Sequence, residues 1–293
     1  MKKSMIRFIS VSLLLLWGII WISSCGDGNS NQREEAVTER RIVSLDGAIT
    51  EIVVTLGYGN ELVGRDVTST YPDWIRDSVM DLGHVRSLAI ESLMELNPTL
   101  ILASKKDMVP DLEDKIRRSG VEYKFFDREF SLEGTKNLIR EIGTYFQNPD
   151  TSTVLREIDK DISDVENFET KPKVLFVYAR GAGTLMVAGE NTPMERMIEM
   201  AGGENAVSGF EDFKPLTAEA LISYDPEIIL MFDSGAQSLG GDEGILQVPG
   251  VSETKAGKNK AIVTMDGGLL SGFGPRVGEA VVTLNRLIAP YAE

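Results

Sequence analysis

The chain has 293 residues and a formal charge of -15, with 45 acidic against 30 basic side chains, one histidine and one cysteine. So acidic a body argues against nucleic acid or anionic lipid as a partner, and one cysteine allows no internal disulfide. A single histidine also argues against zinc or manganese carriage, whose sites lean on several imidazoles.

The first 24 residues read as an export signal: Lys2, Lys3 and Arg7, then the apolar run FISVSLLLLWGIIWI from Phe8 to Ile22. Fifteen apolar residues are short of the ~20 that span a bilayer. An uncleaved membrane anchor is the alternative. The sequence ISSC that closes the run resembles a bacterial lipobox, which implies that Cys25 is lipidated and becomes the mature N-terminus. The chain would then be tethered to a membrane by its lipid; which membrane, inner or outer, is left open. Residues 26–40, polar and without apolar periodicity, complete a flexible tether that runs from Cys25 (25–40).

The folded part divides in two. A first lobe is expected over 41–147. It opens with a strand, RIVSL (41–45), a turn at Asp46-Gly47, and a helix AITEIVVTLG stopped at Gly57. A further strand falls at 121–126. A second lobe, 171–293, opens alike: strand VLFVYA (174–179), loop, then helix TPMERMIEMAGG. Another strand lies at 261–265, and the apolar spacing of 276–291 is helical. Strand-helix alternation predicts an α/β fold of two lobes, each with a parallel-type sheet and covering helices. Between them, in 148–170, Val154, Ile158, Ile162 and Val165 recur at helical spacing and predict one long joining helix over about 150–168.

Two segments echo each other. AIESLMELNPTLILAS (89–104) aligns with TAEALISYDPEIILMF (217–232) at an offset of 128, pairing Glu91 with Glu219 and Pro98 with Pro226. Each reads as a short amphipathic helix, a proline break and a buried strand, which implies lobes of similar build.

The stretch LVGRDVTSTYP, with RIVSLDGAITEIVVTLG before it, and LMVAGENTPMERMIEMAGGENAV, SLGGDEGILQVPGV and GFGPR after it, resembles the haem-binding branch of the helical-backbone substrate-binding proteins of bacterial ABC importers. That family also serves vitamin B12 and ferric siderophores, and these are the alternative ligands. The resemblance covers roughly 41–291. It implies a monomer that captures haem b as transported ligand and delivers it to a permease dimer with its ATPase, for haem and iron uptake. It places Tyr71 on the iron as axial ligand. It also implies that Glu91 and Glu219 dock on the permease; solvation of exposed helices is the other reading.

A tyrosinate suits ferric iron, a hard cation that favours anionic oxygen. A nearby cation would favour the ionised phenol. The competing reading of Tyr71 is a surface tyrosine packed on Trp74. Candidate contacts for the haem and its propionates are Arg65, Arg180, Lys214 and Tyr178. Against these stand a salt bridge for Arg65 and a core position for Tyr178. Met186, Met231, Phe232 and Phe273 are either porphyrin walls or ordinary core. His84 is expected to face solvent or serve the structure, and no histidine follows it. The chain contains no G-x-S-x-G, no H-E-x-x-H and no P-loop, and its glycine run RGAGTLM lacks the third glycine of a dinucleotide loop, so an enzyme is not expected.

Overall fold

The computed structural model describes residues 39–148, 150–181, 183 and 185–292. The export signal, Cys25 and most of the tether lie outside the described residues.

The first lobe runs β1 (Ile42–Leu45), α1 (Gly47–Thr55), β2 (Leu62–Arg65), α2 (Trp74–Ser78), β3 (Met80–Asp81), α3 (Ile90–Met94), β4 (Leu100–Ser104), α4 (Pro110–Arg118), β5 (Glu122–Phe126) and α5 (Leu132–Tyr145). After α6 (Ser152–Ser163), the second lobe runs β6 (Lys173–Ala179), β7 (Leu185–Ala188), α7 (Pro193–Met200), β8 (Glu204–Asn205), β9 (Phe213–Pro215), α8 (Ala218–Tyr224), β10 (Ile228–Phe232), α9 (Asp233–Ser238), α10 (Gly241–Leu246), α11 (Lys255–Asn259), β11 (Ile262–Met265), α12 (Gly267–Gly272) and α13 (Val277–Ile288).

The first sheet, ordered β3-β2-β1-β4-β5, is parallel throughout. Alternate residues of its strands feed two cores. Val43, Leu45, Ile101 and Ala103 meet Leu93 of α3 and Leu112 and Ile116 of α4. Ile42, Leu100 and Leu102 join Ile49, Ile52, Leu138 and Ile142 of α1 and α5. Both faces are covered, which is why these strands read as unbroken apolar runs. The second sheet, ordered β11-β10-β6-β7-β9, is parallel at β6, β10 and β11, with β7 antiparallel to both its neighbours.

The internal repeat is visible in the backbone. Glu91 and Glu219 are each the second residue of their helix. Asn97 and Asp225, also 128 apart, both hold left-handed conformations (φ 46° and 40°) immediately before the paired prolines. Asn and Asp tolerate that region better than other side chains do.

The joining segment differs from expectation. Its helix ends at Ser163 although Val165 continues the apolar spacing. The peptide groups of Glu166 are taken by a side chain instead: its N–H donates to Asn285 Oδ1 (3.0 Å) and its carbonyl accepts from Asn285 Nδ2 (2.9 Å). Asn285 also donates to Ala201 O (3.0 Å), so this fully buried amide satisfies its polar atoms within the protein. Helix α6 packs on α13 at Gly278, where a Cβ would come within 3.0 Å of Ile158 O.

Candidate functional site

A cleft of about 440 Å³ opens between the two lobes, within the ~300–1,000 Å³ typical of small-molecule sites. Its walls come from the carboxyl ends of parallel strands: Asp46 after β1, Thr68 and Thr70 after β2, Asp107 after β4, Arg128 and Phe130 after β5, Phe232 closing β10, and Gly268 after β11. The strand order reverses beside β1 in the first sheet and beside β6 in the second. Such switch points are where open α/β sheets leave a crevice for a ligand.

The loop 65–71 is locked down by its own side chains. Asp66 Oδ2 accepts from Thr68 Oγ1 (2.6 Å) and from the Thr68 N–H (3.2 Å), and Oδ1 accepts from Ser69 Oγ (2.7 Å). Thr68 Oγ1 in turn accepts the N–H of Gly47 (3.0 Å), and Ser69 and Thr50 share a hydroxyl pair at 2.7 Å. The loop is thereby tied to the start of α1. Burial pushes the Asp66 carboxyl above its usual range, against these hydroxyls and with nearby Asp46 adding to the rise.

Arg65 corrects an expectation. Its guanidinium is buried and paired with Asp81 (3.0 Å), and it donates to the carbonyls of Asp66 and Ile75 at 3.2 and 3.3 Å. A cation already held by a carboxylate and peptide oxygens braces the loop from behind and is not a cleft contact.

Tyr71 leaves this braced loop 43% exposed. Over its ring, 3.6 Å from the centroid, lies the guanidinium of Arg276 from the second lobe. Arg276 is itself fixed by Glu51 of α1, through Nη2–Oε1 at 2.6 Å and Nε–Oε2 at 3.1 Å. Trp74, the neighbour of Tyr71 in the competing reading, covers Gly59. Burial raises the Glu51 carboxyl, and the bonds from Arg276 oppose the rise. The guanidinium covers one face of the ring and leaves the oxygen edge of the phenol to face a ligand.

The lobes are joined at one flank of the cleft. Arg128 pairs with Asp46 (2.8 Å) and donates to the Gly272 carbonyl across the gap. Thr135 Oγ1 donates to Phe273 O (3.2 Å), and the Phe130 ring meets Phe273 edge-on at 5.4 Å.

The other candidates separate. Arg180 is exposed just past β6, at the second switch point. Tyr178 is half-buried with its ring edge-on to Phe232 at 6.2 Å, so it supports a wall residue from behind. Lys214, on the outer strand β9, lies over the Phe210 ring at 4.3 Å and is not among the cleft-lining residues. Its strand is two removed from β6. Of the apolar candidates Phe232 lines the cleft, whereas Met231 and Phe273 are core. His84 lines the cleft and is exposed, its Nδ1 accepting the Arg86 N–H at 3.3 Å. Arg276, Glu51, Arg128 and Asp46 were not singled out from sequence. GFGPR carried Arg276, but nothing in the sequence pairs it with a residue 225 positions away.

Fold and site together define a two-lobed binding protein with its ligand space between the lobes. The chain belongs to the periplasmic binding protein family, matched over residues 42–268, whose members serve ABC transporters as substrate-binding components and are not a class of enzyme. Its fold is that of the periplasmic heme-binding protein RhuT from Roseiflexus sp. RS-1 in apo form, at 34% identity and a TM-score of 0.82 over 87% of this chain and all of that one. By sequence it is similar to the uncharacterized ABC transporter substrate-binding lipoprotein YvrC of Bacillus subtilis, 24% identical over 90% of this chain and 85% of that protein. It is also similar to a vitamin B12-binding protein of Vibrio campbellii, 25% identical over 65% of this chain and 70% of that protein. No helix among the described residues is long and apolar enough to cross a membrane.

Proposed function

We propose that this protein is the lipid-anchored haem-binding component of an ABC importer, with Tyr71 as the axial ligand of ferric haem. The observation that carries the reading is the exposed phenol of Tyr71 on a braced loop at the cleft, its face covered by the Arg276 guanidinium at 3.6 Å. A phenol so placed suits an electron-poor metal centre. The 34% identity to a heme-binding protein supports the same ligand. Cobalamin is the second reading, favoured by the relatives named for vitamin B12. Cys25 supplies the lipid, and Glu91 and Glu219 meet the permease.

The test is a titration of the full-length chain in detergent with ferric haem and, separately, cobalamin, followed by visible absorption. A saturable ferric spectrum with phenolate character is expected, with Tyr71→Ala abolishing that character and weakening haem by more than about tenfold, or about 1.4 kcal/mol. Saturable cobalamin binding without haem binding would replace the first reading by the second. Equal haem spectra for both chains would remove Tyr71 from the iron.

A further inference from the structure

The cleft wall carries more carboxylates than cations, and its cations are spent. Asp46, Glu51, Asp66 and Asp107 line it. Of the guanidiniums on the same wall, Arg128 is bound to Asp46 and Arg86 to Asp107 (3.1 Å). Haem carries two propionates. Such a wall repels a dianion unless a further cation stands within reach, since like charges cost most where water is scarce.

Lys106 meets that need. It sits in the turn after β4, beside the first switch point and next to Asp107 of the cleft wall. Its neighbour Lys105 is committed to Asp127 at 2.6 Å. Lys106 has no ion pair among the described residues. Its ammonium lies 4.6 Å from the centroid of Phe130, a residue of the cleft wall. The ring holds the charge at the rim without neutralising it, so the ammonium remains available to a carboxylate.

We propose that Lys106 is the propionate-binding residue of the first lobe, and that it selects a carboxylate-bearing tetrapyrrole over a neutral one. This rests on the haem reading and specifies which part of the ligand this rim recognises.

The experiment compares full-length wild type, Lys106→Gln and Lys106→Arg, each titrated with haem and with haem dimethyl ester, which lacks the free carboxylates. Lys106→Gln is expected to weaken haem about tenfold, to leave the ester unchanged and to retain the phenolate band. Lys106→Arg is expected to stay within about threefold of wild type for haem. Unchanged haem affinity in Lys106→Gln overturns the proposal. So does an equal loss for haem and ester, which assigns the effect to the packing of Phe130. If the wild type binds neither haem nor ester, the haem reading falls and takes this one with it; an ester-only or haem-only loss leaves the haem reading standing.

Discussion

Asp66 shows how a single buried side chain can fix a loop and still make folding depend on pH. It accepts three hydrogen bonds and lies at 2% exposure. Desolvation nevertheless dominates and raises its carboxyl above the ordinary 3.8. A group raised in the folded state contributes stability that is complete below its unfolded value and is lost as pH rises through the folded one. Replacing Asp66 with Asn removes that titration while keeping the side chain's shape. The wild type is therefore expected to be most stable relative to Asp66→Asn below pH 3.8 and to lose that advantage as pH rises through the higher folded value, read from urea midpoints across the acid range. Parallel curves would show that the carboxyl titrates alike in both states. At this scale the sequence was legible in part. The Ser/Thr-rich run before Pro72 marked the loop, because short polar side chains that bond their own backbone announce a turn, while the weight given to Tyr71 came from the resemblance. The sequence did not tell which way Arg65 points, since Asp81 reaches it only through the pairing of β2 with β3.

Among elements, Asn285 fixes the segment that follows α6 onto the second lobe. The amide makes three hydrogen bonds, two to Glu166 and one to Ala201, from a site with no exposure. Asn285→Ala leaves those peptide groups without their partner, at a cost of about 2–3 kcal/mol. A melt of the purified variant measures it. Asn285→Asp is expected to be at least as damaging, because a carboxylate there would face the carbonyls of Glu166 and Ala201. A loss under about 0.5 kcal/mol in the alanine variant would mean that 164–168 is held by Phe168 and its neighbours alone. The helix-proline-strand repeats were readable because each unit is local: apolar spacing, a proline and a buried run of five residues. The end of α6 was not, for it is set by a side chain 119 residues away. The antiparallel outer strands β7 (four residues) and β9 (three residues) were also missed.

For the whole molecule, the repeat places two exposed carboxylates at equivalent positions of the two lobes, the pair proposed to meet the permease. Glu91 and Glu219 are each exposed, each second in a short helix, and each followed by a left-handed residue, a proline and a central strand. Backbone and Thr217 hydrogen bonds hold the Glu219 carboxyl below its usual range. Neither residue lines the cleft. On the proposed reading, capture and delivery are separable. Glu91→Ala combined with Glu219→Ala is expected to leave haem affinity and spectrum as in the wild type while cutting stimulation of the transporter's ATPase, in vesicles, by about tenfold or more. Each single variant is expected to lose less, because one lobe still engages. Raising salt to about 0.5 M should weaken wild-type stimulation and barely touch the double variant, since exposed charges are screened within ~8 Å even at physiological strength. A double variant that stimulates like the wild type would leave the paired glutamates as a trace of the internal repeat alone.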